Sequence, residues 1–323
     1  MKLVKQSYEL LGTPQSLEEA WSFVARAARN CYQSEKTRLD ESEEDFCKRI
    51  LLKHPEDLEK DHMSPFEFGV VYLKRQLSTN DKEDKRWASK YMLNPYSRYK
   101  SNLLECDYVP LDKQVIGQPI NGIWEIYITT NLRVILENHW EDDLKYAGPP
   151  TKYHMKACCF KFDTSIHVYK DLTRHEGALS FAIESTRYCK YSSPKFGSGL
   201  TFIWHPRLTK YSSEELHLDK DGIFNGKYEG LPYEVNLLFS GFESDEKVYL
   251  TLVNECGWTA QDAATKLPQD TKATVFMCGY EDSLQHMFRL RAEECSGPVL
   301  PQVAEITKPM YEAYQQWLNK SYI

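Results

Sequence analysis

Arg174, His175, Ser180, Glu184, Ser185, Arg187 and Tyr188 crowd one short segment of the chain. A forked guanidinium, a hydroxyl and a phenol are groups that bond directionally to phosphate or to the edge of a heterocycle. Lysine, the usual solvating residue, is absent between Lys170 and Lys190, so the segment does not read as a plain solvated face. The pattern predicts a long polar helix from about Ser165 or Lys170 to Tyr188. At 100° per residue, Arg174, Ala178, Phe181 and Ser185 share one face of it, and Leu172, Leu179, Ala182 and Ile183 supply the packing side. The chemistry this suggests is the holding of an anionic, nucleotide-like ligand.

A second candidate lies near the C-terminus. Leu284, Met287, Phe288 and Cys295 form an apolar helical stripe, and Arg291 falls within it. A cation on such a face needs a partner, because an unpaired buried charge is costly. Two partners are open at this point: an internal carboxylate, or an anionic or polarisable ligand. His286 projects to a different side. There is no P-loop, no G-x-G-x-x-G and no G-x-S-x-G elbow, which excludes those routes to nucleotide binding and acyl transfer. Cys158-Cys159 sits on an apolar run and reads as core packing. No Cys-x-x-Cys and no His/Cys cluster has zinc-like spacing, so no metal is expected.

These side chains need a scaffold. Ser16-Leu17-Glu18-Glu19 is a capping box that opens a helix with Leu17, Trp21, Val24, Ala28 and Cys31 on one stripe. A charged helix is predicted over about Glu43–Lys53, and strands over Phe68–Leu73, Trp124–Thr130, Lys156–Phe162, Leu200–Trp204 and Ala273–Cys278. Further helices are predicted over Asn131 to about His139, about Glu243–Glu255, Thr259–Lys266, Asp282–Cys295 and Pro301–Leu318. Residues 79–120 read as an irregular insertion and 206–232 as a surface excursion. Strands and helices intermingle without a linker. The expected fold class is therefore α/β (α+β), a single domain over 1–323 with a central mixed sheet flanked by helices and two insertions.

Composition bounds the partners. The chain is 41% hydrophobic and carries a net charge of −7, which supplies a packed core and argues against broad attraction to nucleic acid or to an anionic membrane. No run approaches the roughly 20 apolar residues of a bilayer span, and no signal-peptide pattern opens the chain, so the default expectation is the cytoplasm.

Six ordered segments resemble the flavin-dependent thymidylate synthase family. They are Ala27-Ala28-Arg29-Asn30-Cys31-Tyr32, His62-Met63-Ser64-Pro65-Phe66-Glu67, Ile128-Thr129-Thr130-Asn131-Leu132-Arg133, Ser180 to Ser192, Ala263 to Pro268, and His286 to Arg291. The resemblance implies an FAD enzyme that methylates C5 of dUMP, with NADPH and methylene-tetrahydrofolate as co-substrates, in a homotetramer that builds each active site from several subunits. It implies Arg291 and Ser185 as catalytic residues and Arg174, Glu184, Ser185, Arg187 and Arg291 as substrate-binding residues. Ser64, Arg174, His175, Glu176 and His286 would then contact the cofactor. The chain departs from the family pattern at Phe68, Glu176, Ile183 and Ala264, and the segment leading to Ser185 is one residue longer. An altered pyrimidine nucleotide or nucleoside substrate, or a non-catalytic nucleotide-binding role, are the alternative readings.

Overall fold

The computed structural model describes residues 1–34, 40–54, 58–78, 80–106, 122–175 and 179–321. The chain opens with strands β1 (Lys2–Val4) and β2 (Ser7–Gly12), then helices α1 (Leu17–Tyr32) and α2 (Glu43–Leu51). Ser16 caps α1 by accepting from the Glu19 amide, while the Glu19 carboxylate accepts from the Gln15 amide. The Ser16 side chain thus satisfies one of the unpaired first-turn amides, which favours a helix start there. A 3₁₀ turn, Ser64–Phe68, leads into β3 (Val70–Ser78). The segment expected to be irregular forms a helix, α3 (Lys82–Met92), and a strand, β4 (Arg98–Cys106). Asp81 caps α3 through its first-turn amides. The rest of that expected insertion, 107–121, lies outside the described residues.

Next come β5 (Gly122–Asn131), α4 (Leu132–Glu137), the short β6 (Ala147–Gly148) and β7 (Ala157–Ser165). The predicted long polar helix is not formed. Only α5 (Ile166–Leu172) is helical, followed by a 3₁₀ turn, Thr173–His175, and then a strand, β8 (Leu179–Ile183). Ser180, Phe181, Ala182 and Ile183 pair with the strand at 275–278, and that long-range ladder overrides the helical spacing of the local sequence. After β9 (Thr201–Ile203) comes α6 (Tyr233–Asn254), which begins directly after Pro232 and is longer than predicted. α7 (Ala260–Ala263), β10 (Lys272–Tyr280), α8 (Glu281–Arg291) and α9 (Pro301–Ser321) complete the chain.

The expected sheet-and-helix class holds, and its strands are divided among three sheets. One runs β2-β7-β10-β8 and another β4-β5-β3-β6, each antiparallel, while β1 and β9 form a parallel pair. β10 is buried along seven successive residues because both its faces are covered. α5, α8 and α9 cover one face with Leu172, Leu284, Met287, Phe288 and Tyr314. On the other side, Phe23 and Ala27 of α1 meet Phe276, Cys278 and Cys159, so α1 is wedged between the sheets. Cys158 and Cys159 are fully buried, as expected for core thiols. Residues 206–232 are more than a surface excursion: Leu208, Leu216, Leu218 and Phe224 join Phe239 and Phe242 in a core of their own. Among the described residues no helix is long and apolar enough to cross a membrane.

Candidate functional site

A cavity of about 450 Å³ opens where the two four-stranded sheets meet. Its walls come from the 3₁₀ turn at Ser64 and Glu67, the start of β3 at Val70, the turn at Pro95 and Tyr96, and Arg98 of β4. Asn131, Arg133, Val134 and Glu137 line it from α4, Thr173 and β8 from another side, and Cys278–Tyr280 from the end of β10. Close packing shapes it. A Cβ at Gly69 would stand 2.7 Å from both Leu132 and Val24, so only glycine lets the 3₁₀ turn approach α1 and α4. Asn131 caps α4 through the Val134 amide (3.0 Å) and reaches the Tyr280 hydroxyl (3.4 Å).

Charge in the cavity is balanced. Arg133 donates to Glu67 (2.5 Å) and Glu137 (2.7 Å). Although burial acts against its charge, these two carboxylates hold the Arg133 guanidinium above its ordinary value. Arg98 donates to Asp282 (2.8 Å) and lies over the Tyr280 ring, 4.7 Å from its centroid. Burial opposes the Asp282 charge, and Arg98 nevertheless keeps that carboxyl below its ordinary value. The hydroxyls of Ser64 and Ser180 make no hydrogen bond among the described residues, which leaves them for a ligand.

The predicted site residues fall into separate groups. Arg174, His175, His286 and Arg291 gather around a residue that sequence reasoning missed, Asp171. One of its carboxylate oxygens pairs with Arg174 (3.3 Å) and the other with Arg291 (3.0 Å). Arg291 also donates through Nε to Nε2 of His175 (3.1 Å), and His286 packs edge-on against His175 at 6.2 Å. Of the two partners left open for Arg291, the structure supplies the internal carboxylate. Burial lowers the pKa of His175, and the Arg291 guanidinium acts in the same direction. A neutral ring leaves Nε2 free to accept. The only sequence signal for Asp171 was its position one turn before Arg174.

Ser185 and Arg187 lie past the other end of β8. The five residues of that strand, about 13 Å between first and last Cα, separate Ser185 from the turn that carries Arg174 and His175. Ser185 donates its amide to the Cys31 carbonyl (2.9 Å), which ties it to the end of α1. Asn30 fixes the same end by donating to the carbonyls of Ala182 and Thr274 (3.0 Å each). Arg187 is exposed and donates to Gln261 (3.1 Å). Glu184 is buried, and one oxygen of its carboxylate, Oε2, accepts from Lys272 (3.4 Å) and from the Thr274 amide (3.1 Å). Glu176 lies outside the described residues. Among the described residues no cluster of His, Cys, Asp or Glu could hold a metal ion.

The fold and the cavity define an α/β protein with a ligand-sized cleft between two antiparallel sheets. Residues 142–319 match the family model of the thymidylate synthase complementing proteins, and the chain belongs to that family. No curated protein matches it by sequence. Among solved structures it is similar to a UMP/dUMP methylase, PolB, from Streptomyces cacaoi bound with 5-Br UMP. That likeness has a TM-score of 0.42 and 12% identity, over 98% of this chain and 92% of that one. It is also similar to Thymidylate Synthase X (ThyX) from Helicobacter pylori with FAD and dUMP. Here the TM-score is 0.36 and the identity 13%, over 98% of this chain and 99% of that one.

Proposed function

We propose that this protein is a flavin-dependent methyltransferase of pyrimidine nucleotides, methylating dUMP at C5 with methylene-tetrahydrofolate and NADPH as co-substrates. The observation that carries the reading is the family match, because 142–319 contains Arg174, His175, Glu184, Ser185, Arg187, His286 and Arg291. The cavity of about 450 Å³ would take the ring end of a flavin rather than the whole dinucleotide. It offers free hydroxyls at Ser64 and Ser180 for a polar ring edge, and flat apolar walls at Val70, Leu179, Phe181 and Ile183. When bound, the flavin would supply the redox and one-carbon chemistry.

The protein's own residues bind and polarise. Arg291, with two of its N–H groups on Asp171 and one on His175, keeps donors for the O4 and N3 edge of a uracil. A preorganised cation there stabilises negative charge on the ring and so makes C5 nucleophilic. Ser185 and Arg187, with Arg174, would hold the rest of the nucleotide. The resemblance would put Ser64, His175, Glu176 and His286 on the flavin side, and of these Ser64 lines the cavity. The resemblance would make the assembly a homotetramer that builds each site from several subunits. The test is tritium release from 5-tritiated dUMP with NADPH and methylene-tetrahydrofolate. Release is the expected result; a flavin-loaded sample that releases none overturns the reading.

A further inference from the structure

Two thiols face each other across the central ladder, and nothing in the chemistry proposed above uses them. Cys159 on β7 stands directly opposite Cys278 on β10 in the antiparallel register. Their sulfurs are 2.6 Å apart, and both thiols are free. The pleat decides which cysteine pairs, because successive side chains of a strand point to opposite faces. Cys158, equally buried, turns to the layer of α8 and α9, whereas Cys159 and Cys278 turn to Phe23 and Ala27 of α1. The two paired thiols differ in access. Cys159 is fully enclosed, while Cys278 also forms part of the cavity wall. The Arg26 guanidinium of α1 lies nearby, 5.7 Å from the ring centroid of Phe276, two residues before Cys278.

We propose that Cys159 and Cys278 form an oxidation site, a dithiol that a small peroxide entering through the cavity converts to a disulfide bridging β7 and β10. Directly opposed residues of antiparallel strands have Cα atoms roughly 4.5–5.5 Å apart, inside the range of about 4.4–6.8 Å that disulfides span. The bond therefore needs no movement of the backbone. Burial, and after it the neighbouring Cys278, hold the Cys159 thiol well above its ordinary pKa, so it keeps its proton. The first attack falls to Cys278, the member that reaches the cavity. Its thiolate takes one oxygen of hydrogen peroxide, giving a sulfenic acid and releasing the other oxygen as hydroxide. The Cys159 sulfur then displaces the sulfenic hydroxyl, and the S–S bond forms. Its proton leaves with that hydroxyl as water, a departure eased by Arg26, whose charge favours the Cys159 thiolate. In sum, two thiols lose two hydrogens and one hydrogen peroxide becomes two waters. The site stands independently of what the cavity binds.

The test uses the full-length protein, reduced, freed of reductant and exposed to hydrogen peroxide under native conditions. Remaining thiols are alkylated in denaturant, and the sample is digested with trypsin without reduction. Cleavage after Lys156, Lys161, Lys272 and Arg289 places the pair in peptides 157–161 and 273–289. The expected result is those two peptides joined, with loss of their alkylated forms, and their separation by dithiothreitol. Cys158→Ala, which suits the apolar layer on its side, should keep the bridge and so assign it to Cys159. In Cys159→Ser, Cys278 lacks a resolving thiol and should go on to the sulfinic acid. Both peptides recovered fully alkylated from the wild type, while the exposed Cys256 and Cys295 are oxidised, overturns the proposal. A bridge that disappears in Cys158→Ala of wild-type urea midpoint overturns it as well.

Discussion

A guanidinium half-buried beside apolar side chains needs a counter-charge, and Asp171 supplies one to Arg291 and Arg174 at once. The Arg291 side chain is 21% exposed, so solvent screens the pair only in part. Asp171→Ala would leave Arg291 with one imidazole nitrogen and one carbonyl, and should cost about 2 kcal/mol in urea unfolding. Removing the cation as well, in Asp171→Ala with Arg291→Met, should recover part of that loss; no recovery would mean the pair is not the cause. Arg291 also carries the proposed chemistry. Arg291→Ala should lower tritium release about a hundredfold, the scale of one lost preorganised donor, while flavin is retained. Full activity in that variant would remove Arg291 from the mechanism.

At the scale of elements, β8 and β10 hold the site together. The two strands pair from Leu179–Gly279 to Ile183–Val275, and their proximal ends floor the cavity. Gly279 sits at the tightest point, where a Cβ would lie 2.2 Å from Leu179 and 3.1 Å from Leu284. Gly279→Ala should therefore cost about 1–3 kcal/mol by overpacking, and push Leu179 into the cavity. Weaker flavin uptake together with a lower urea midpoint is the expected pair of results. A variant with wild-type stability and uptake would show that the strands are free to shift. Lys272 closes the same unit at its far end. Burial opposes its charge, yet Glu184 and Asp163 hold its ammonium above the ordinary value, so the buried Glu184 has a structural partner.

For the molecule as a whole, the link between the two four-stranded sheets is sensitive to acid. His154, beside the entry to β7, accepts the Thr151 amide at Nδ1 (3.0 Å) and donates from Nε2 to the Leu73 carbonyl on β3 (3.1 Å). Both nitrogens are spent only when the ring is neutral. Burial, with the nearby cations of Lys156, Lys74 and Lys100, pushes its pKa down to about 4, against 6.5 in the unfolded chain. The unfolded state thus binds the extra proton first. This contribution is complete above about pH 6.5 and is lost as the pH falls toward 4, amounting to ~3 kcal/mol in all. His154→Gln should flatten the stability profile across that window; an unchanged acid slope would assign it to other groups.

The sequence by itself determined the elements whose signals are local. Ser16 capping α1, Asn131 opening α4, the apolar run of β10 and the core position of Cys158-Cys159 all follow from neighbours a few residues away. The family motifs were legible for the same reason, since each is a short contiguous string. What only the tertiary structure decided depends on partners far along the chain. The segment 179–183 has helical spacing, but the open edge of β10 made it a strand, which sent Arg174 and Ser185 to opposite ends instead of one face. The carbonyl of Asp171 accepts from Arg291 across 120 positions of sequence, and no periodicity reports such a pairing. Likewise β4 looked irregular because it is held by its ladder with β5, which places Arg98 at the cavity. Local hydrogen bonding and capping act within a turn or two, whereas strand pairing and charge neutralisation act through space, and the site is made by the second kind.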